Sequence, residues 1–197
     1  MTPLKRVCVF CGSSPGTRAA HRDAAQRLGH EIASRGLGLV YGGGRTGLMG
    51  IVADAVLAAG GHVVGVIPHA MMARELAHER LQDLRVVASM HDRKAMMAEL
   101  SDAFIAAPGG FGTFEELCEA ITWTQLGLHR KRCGLLNVDG FYDPFLQLMG
   151  RAVEDGFIAP TGAGIVVSHS DPAALLSLLA EPLTVSGAVW LSGPEET

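Results

Sequence analysis

The chain of 197 residues is long enough to form a domain with a substantial buried core. Its composition, 48% hydrophobic and 18% charged, is typical of a globular α/β protein and excludes a fibrous or disordered chain. The formal net charge of −4 argues against nucleic-acid or membrane-surface partners, which usually require a basic face. No apolar run reaches the roughly 18 residues of a membrane span, and the first residues do not resemble a signal peptide. We therefore expect a cytoplasmic protein.

The four cysteines and eight histidines form no pattern typical of a disulfide scaffold or a metal site. Cys8 and Cys11 have CxxC spacing, but Cys8 lies inside an apolar run that predicts a strand. A redox pair requires this motif at the start of a helix. We predict two buried, reduced thiols, no metal and no cofactor.

Short apolar runs alternate along the chain with longer stretches of helical periodicity. Strands are predicted at 7–10, 37–41, 63–67, 85–87, 103–106, 134–137 and 165–167. Helices are predicted at 18–35, 47–59, 90–100, 113–126, 144–154 and 172–179. Apolar strands separated by helices favour a Rossmann-like, doubly wound parallel sheet of about seven strands with helices on both faces. We expect residues 1–197 to form a single nucleotide-binding domain, with the tail after about residue 181 at its periphery.

Such sheets bind ligands at the carboxyl ends of their strands, where three turns here are rich in small residues: 11–16, 42–50 and 108–113. The second turn contains Gly42-x-Gly44-x-x-Gly47, which matches the dinucleotide-binding fingerprint. It follows the second strand, however, and the next strand ends in Ile-Pro-His rather than in the acid that binds a ribose hydroxyl. A NAD site and a tight turn that packs a helix on the sheet both remain open for this turn.

The turn 108–113 is the strongest indication of a phosphate site. Its three glycines leave main-chain amides uncovered just before a predicted helix, whose first N–H groups carry partial positive charge. Thr113 and Glu116 also have the spacing of a capping box, which would need no ligand. Capping alone does not require three glycines, each of which costs backbone entropy. We therefore favour an anion site in which the Thr113 hydroxyl is one donor.

The preceding predicted helix begins with a cluster of polar residues. Ser89 and Asp92 have the spacing of a second capping box. Arg93 and Lys94 follow at the helix N-terminus, where the helix dipole disfavours cations. We expect a nearby anion to compensate them, either a substrate phosphate or a carboxylate such as Glu116 or Glu75, with solvation as the alternative.

Four blocks of the sequence match one known family. Residues 108–116, Pro-Gly-Gly-Phe-Gly-Thr-Phe-Glu-Glu, match the signature PGGxGTxxE, and the other blocks are 42–50, 90–97 and 74–78. Together they resemble the Lonely Guy family, the cytokinin-activating nucleoside 5′-monophosphate phosphoribohydrolases. The similarity runs from about residue 6 to about residue 167. The chain departs from the family pattern at Phe114, where Leu or Met is common, and at His69, where Lys is usual.

The resemblance implies hydrolysis of the N-glycosidic bond of purine nucleoside 5′-monophosphates with an N6-modified adenine or adenine itself. The products would be the free base and ribose 5-phosphate. The resemblance also implies a homodimer with active sites near the subunit interface. By motif position, the substrate contacts would fall on Glu75, Arg93, Lys94, Gly110, Phe111, Gly112, Thr113, Phe114, Glu115, Glu116 and Thr122.

The chemistry of these residues favours the same reaction. Cleavage passes through an oxocarbenium-like ribose, which a carboxylate can stabilise while it activates water. We choose Glu116 as the catalytic carboxylate because the apolar Leu117 should shield it partly. Glu115 is the second candidate, since adjacent helical residues point about 100° apart and only one can face the ribose. Arg93 is the other catalytic candidate, and it would clamp the substrate or orient Glu116.

Two other functions stay open at this point. A non-catalytic nucleotide-binding or sensing protein would keep the glycine turns but have no use for an adjacent carboxylate. A pyridoxal-phosphate-dependent lysine decarboxylase, a label given to some relatives, would need a Schiff-base lysine. Of the three lysines, Lys5, Lys94 and Lys131, only Lys94 lies near the predicted site.

Overall fold

Seven parallel strands form one sheet in the computed structural model, which describes residues 4–72, 77–81 and 83–183. The strands are β1 (Arg6–Phe10), β2 (Gly38–Tyr41), β3 (Val63–Pro68), β4 (Asp83–Val87), β5 (Ala103–Ala106), β6 (Cys133–Leu136) and β7 (Val166–His169). The helices are α1 (Ala19–Ser34), α2 (Gly47–Ala58), α3 (Met90–Glu99), α4 (Phe111–Gln125), α5 (Asp143–Glu154) and α6 (Pro172–Ala180). Short 3₁₀ turns lie at His69–Met71, Val138–Gly140 and Pro160–Ile165.

The strand order is β4-β3-β2-β1-β5-β6-β7, so the chain winds outward from β1 in one direction and then in the other. β1 and β5 are neighbours in register, with Phe10 paired to Ala106 at their carboxyl ends. The direction of winding reverses between β1 and β5, which makes this the switch point of the sheet. The loops after these two strands therefore diverge and leave a crevice between them. The predicted Rossmann-like, doubly wound fold is confirmed.

The five inner strands are buried because they are almost wholly apolar and helices cover each side, whereas the edge strands β4 and β7 are partly exposed. One core cluster joins the sheet to α1, α2 and α6 and includes Leu28, Val52 and Leu175. The second joins it to α3 and α4 and includes Met97 and Leu117. Burial of such side chains removes apolar area from water, worth roughly 25 cal/mol per Å². These two layers fix the helix starts that surround the crevice.

Helices α1 and α2 approach each other closely because α1 carries a glycine at the contact. A Cβ atom at Gly29 would lie 2.6 Å from the carbonyl oxygen of Val52 and 2.6 Å from the Cβ of Ala55. Any larger residue at position 29 would push α2 outward. This contact holds the start of α2 near the loop that follows β1.

The predicted strands and helices all occur, and their bounds differ by at most two residues. β4 begins at Asp83 rather than at residue 85, because its backbone pairs with β3 from Val64 onward. β7 extends to His169, where it pairs with Leu136 of β6. The peripheral tail, from residue 184 onward, lies outside the described residues. Within the described parts, none of the helices combines the length and apolar character needed to cross a membrane.

Candidate active site

The loop after β1 is held between the turn after β5 and the start of α2. The amide of Gly12 donates to the carbonyl of Pro108 at 3.1 Å, and the amide of Leu48 donates to the carbonyl of Gly12 at 2.9 Å. Gly47 has a φ of 61° and lies directly against the main chain of Ser13, where a Cβ atom would overlap it. Three glycine-rich turns therefore meet at one edge of the sheet.

Helix α4 begins two residues earlier than the sequence predicts, and the capping box is not formed. Gly110 is the N-cap residue in an extended conformation, with no side-chain hydrogen bond at the cap and no acidic residue in the first turn. Thr113 lies inside the helix, 4% exposed, with its hydroxyl against the Cα of Gly109. The capping-box alternative for Thr113 is therefore not realised, and Gly110 takes the N-cap position. The first amides of α4 are available to an external anion.

A cavity of about 300 Å³ lies beside this helix start. Glu116 and Glu115 of α4 and Arg93 of α3 contribute its charged side chains. The remaining lining includes Gly110, Phe111, Gly112, Thr113, Cys11, Ser13, Gly42, Met49, Met71 and Met90. Glu116 is half-buried, as its position before the fully buried Leu117 predicts. The structure thus brings most of the predicted site residues to one cavity.

Arg93 is buried, with 5% of its surface exposed. Its guanidinium lies against Gly42, at a place that a side chain at position 42 would occupy. Nη1 of Arg93 also lies 3.8 Å from the sulfur of Met90, one turn earlier on α3. A buried, planar cation held in this way is well placed to bind a carboxylate or a phosphate.

Cys11 lines the cavity, and the charges of Glu116 and Arg93 both affect the pKa of its thiol. Burial raises the pKa of Cys11, the Glu116 carboxylate raises this pKa further, and the Arg93 guanidinium lowers it. The carboxylate and the guanidinium are therefore close to the same buried point. Cys8 is also buried, with its pKa raised by burial, so the predicted burial of both CxxC thiols is confirmed.

Lys94 binds carboxylates of α4 rather than facing the helix start. Its Nζ donates to Oε1 of Glu115 at 2.5 Å and to Oε1 of Glu119 at 3.0 Å, and its side chain is 10% exposed. Burial lowers the pKa of Lys94, but the two carboxylates outweigh burial, so this pKa is raised. The expected compensating anion of Lys94 is thus found within the chain. Ser89 caps α3, accepting from the amide of Asp92 at 3.1 Å, as predicted.

Like Lys94, three further predicted contacts are not found at this cavity, and one of these lies outside the described residues. Thr122 is exposed and donates to the carbonyl of Cys118 at 2.7 Å, about 16 Å along the helix from Phe111 at 1.5 Å per residue. The ring of Phe114 packs on Phe141, with 6.3 Å between ring centroids. Glu75 lies outside the described residues.

The glycines at 42–50 serve close packing. Gly42 admits the guanidinium of Arg93, Gly47 admits the main chain of Ser13, and Gly50 lies against the carbonyl of Arg45. This favours the tight-turn interpretation of the fingerprint over a NAD site. The turn follows β2, whereas the switch point lies between β1 and β5.

The sequence did not assign several cavity residues to the site, namely Cys11, Ser13, Met49, Met71 and Met90. For Cys11 and Ser13 a signal existed, since they belong to the small-residue turn after the first strand. Strand order decides that this turn adjoins the turn after β5. The methionines carry no such signal, because in a sequence they resemble ordinary core residues.

A second, larger cavity of about 650 Å³ shares Gly12, Ser13 and Gly110 with the first. It is lined by hydroxyl groups of the loop after β1, by Arg18 and His21, and by the 139–141 turn. Glu116 and Arg93 do not line it. The two predicted catalytic residues therefore line the smaller cavity. In the described ranges no group of three or more Cys, His, Asp or Glu residues could hold a metal ion.

The fold and the site define a Rossmann-like α/β protein with an open helix start beside a carboxylate-lined cavity at the switch point. A molybdenum cofactor binding protein from Rippkaea orientalis has the same fold, with a TM-score of 0.67 at 21% identity over 90% of this chain and 96% of the other. The molybdenum cofactor carrier protein of Chlamydomonas reinhardtii also has a TM-score of 0.67, at 24% identity over 90% of this chain and 98% of the other.

Sequence comparison gives closer relatives. A family model described as "possible lysine decarboxylase" matches residues 49–179. The cytokinin riboside 5′-monophosphate phosphoribohydrolase LOG of Oryza sativa subsp. japonica is 53% identical over 95% of this chain and 78% of its own length. An Arabidopsis thaliana protein of the same enzyme name is 55% identical over 90% of this chain and 83% of its own length. The chain belongs to the Lonely Guy family that these proteins represent, as its motifs predicted.

Proposed function

We propose that this protein hydrolyses the N-glycosidic bond of cytokinin riboside 5′-monophosphates and of AMP-like purine nucleotides. The products are the free base and ribose 5-phosphate. The prediction of an enzyme of the N-glycosyl hydrolase class is confirmed at family level, since relatives 53% and 55% identical are named phosphoribohydrolases. The purine range and the residue roles are our proposal.

One observation carries this proposal: the open start of α4 and the Glu116 carboxylate line the same cavity. An anion at the first amides of α4 gains hydrogen bonds and a favourable dipole. Glu116 lies five residues after Phe111, so its Cα is about 7.5 Å further along the helix axis. A 5′-phosphate at the helix start therefore places the ribose of the same nucleotide beside this carboxylate.

The residues then act as follows. The main-chain amides of Phe111 and Gly112 bind the phosphate and orient the nucleotide. Glu116 stabilises positive charge on the ribose ring as the bond to the base breaks, and it takes a proton from the attacking water. Arg93 clamps the substrate or orients Glu116. The Cys11 thiol, its pKa raised chiefly by burial, remains neutral beside them.

Lysine decarboxylation has less support. A Schiff base requires a lysine with an accessible amine. Lys94, near the site, forms ion pairs with Glu115 and Glu119, and Lys131 donates to the carbonyl of Ala98 at 2.6 Å on another face. A purely sensory role would leave the carboxylate beside the helix start unexplained.

We further propose a cytoplasmic homodimer that takes purine nucleoside monophosphates and binds neither nucleic acid nor membranes. Exposed apolar side chains support the dimer: Phe111, 92% exposed, and Met90 lie at the site, and Leu126 and Leu128 lie at the far end of α4. Thr122, exposed on α4, would join the site from such an interface. The buried free thiols of Cys8, Cys11 and Cys133 fit a reducing compartment. Sedimentation analysis tests the subunit number.

The decisive experiment for the reaction is incubation with isopentenyladenosine monophosphate and, separately, with AMP. Free base is quantified by chromatography and ribose 5-phosphate by a coupled assay. Equal amounts of both products are expected. Release of base together with free phosphate and ribose, or no release at all, would contradict the proposal.

A further inference from the structure

The glycine block 42–50 also binds a separate stretch of chain, residues 77–81. The amide of His78 donates to the carbonyl of Gly43 at 3.0 Å. Gly44 and Ala77 form an isolated antiparallel bridge. Arg45 and Glu79 lie 3.8 Å apart as an exposed ion pair. The turn after β2 is therefore paired along its length with this stretch.

The buried contact within this pairing is between His78 and Asp54. The His78 side chain is 4% exposed, and its Nε2 lies 3.0 Å from Oδ1 of Asp54 on α2. The guanidinium of Arg80 binds the same carboxylate oxygen. If Asp54 were lost, the buried imidazole of His78 would lack this hydrogen-bond partner, which costs free energy. The contact therefore favours one position of His78.

This anchor connects to the cavity through the main chain. The amide of Ala77, next to His78, donates to the carbonyl of Met72 at 3.1 Å. Met71, the neighbour of Met72, lines the cavity of about 300 Å³ together with Met49 and Arg93. The position of the Met71 wall thus depends on where Ala77 and His78 are held.

We propose that His78 and Asp54 are positioning residues that fix the Met71 wall of the nucleotide cavity, an inference that rests on the proposed function. Neither residue lines the cavity. Their loss lets the wall move away from the substrate, which weakens binding of the nucleotide more than it slows the chemical step at Glu116. The fingerprint-like glycines thereby serve the site through the chain they bind.

The kinetic test uses Asp54→Ala and His78→Ala, with Asp54→Asn as the conservative variant. Both alanine variants should raise KM for isopentenyladenosine monophosphate about tenfold and change kcat by less than about threefold. Asp54→Asn keeps an acceptor oxygen for His78 and should stay within about threefold of wild-type KM. Glu79→Ala, an exposed change in the same stretch, is the matched control and should leave KM unchanged. Equal KM values in wild type and both alanine variants would overturn the proposal.

A second readout does not depend on hydrolysis. Mild peroxide oxidation followed by mass spectrometry should show Met71 oxidised about threefold or more faster in Asp54→Ala and His78→Ala, but not in Glu79→Ala. Unchanged Met71 oxidation in folded alanine variants would overturn the anchor. If the wild type releases no base, the proposed function fails, and the oxidation rates alone decide whether the anchor positions this wall.

Discussion

The guanidinium of Arg93 lies so close to Gly42 that a side chain at position 42 would overlap it. This contact joins two sequence blocks that are about fifty residues apart, the glycine turn after β2 and the start of α3. It also explains why position 42 is a glycine, although the backbone there does not need a positive φ. The position of Arg93 in the site therefore depends on the absence of a side chain at Gly42.

Replacing Gly42 by alanine should displace the guanidinium of Arg93. We expect Gly42→Ala to lower kcat about a hundredfold, close to the effect of Arg93→Ala, because the guanidinium must leave its place beside the cavity. Steady-state kinetics with isopentenyladenosine monophosphate measure this. Gly150→Ala, where the added methyl group enters open space on α5, is the matched control and should retain full activity. A Gly42→Ala enzyme with wild-type kcat would show that the exact position of Arg93 is unimportant.

The 5′-phosphate should be essential for efficient turnover. Without it, the substrate loses two or three charge-assisted hydrogen bonds to the first amides of α4, each worth about 1.5–3 kcal/mol. We expect kcat/KM for isopentenyladenosine to be at least about a hundredfold below that for its monophosphate. Parallel assays of both compounds with the same enzyme test this. Similar values would place the anion site elsewhere.

Acid sensitivity should come in part from His129. Burial, followed by the nearby Lys131 ammonium, lowers the pKa of His129 from 6.5 to about 4. The unfolded chain therefore binds a proton between these pH values that the folded protein does not, so the free energy of unfolding falls as pH drops from 6.5 to about 4. His129 contributes at most about 3 kcal/mol to the free energy of unfolding, at about 1.36 kcal/mol per pKa unit.

Urea unfolding at half-unit pH steps measures this contribution. The loss of stability between pH 6.5 and 4 should be smaller in His129→Gln than in wild type. His30→Gln changes an exposed histidine of α1 and is the control. Identical pH profiles for His129→Gln and wild type would remove His129 from this role.

The sequence predicted the fold well because its inner strands are almost wholly apolar and its helices are periodic, and both properties are local. The site was predicted less completely. The turn at 108–113 was correct as a location, but α4 was expected to begin at Thr113, and a capping box with Glu116 was left open there. Packing of Thr113 against Gly109 places it inside the helix instead. The partners of Lys94 could not be predicted, because they depend on how α3 and α4 pack.

The choice between the adjacent acids is also a tertiary effect. Glu115 is exposed and bound to Lys94, whereas Glu116 is half-buried and acts electrostatically on the Cys11 thiol. Sequence alone could state only that the two point about 100° apart. Both acids line the cavity, and the position of Glu116 closer to the buried Cys11 thiol is what favours it for the catalytic role.

The comparison of Glu116→Gln with Glu115→Gln tests the central claim most directly. Titration calorimetry measures nucleotide affinity, and product chromatography measures base release. Glu116→Gln should bind the monophosphate within about threefold of wild type, yet release base at least about a thousandfold more slowly, because only the charge is lost. Glu115→Gln should keep turnover within about tenfold. Wild-type turnover in Glu116→Gln, or equal losses in both variants, would contradict the account.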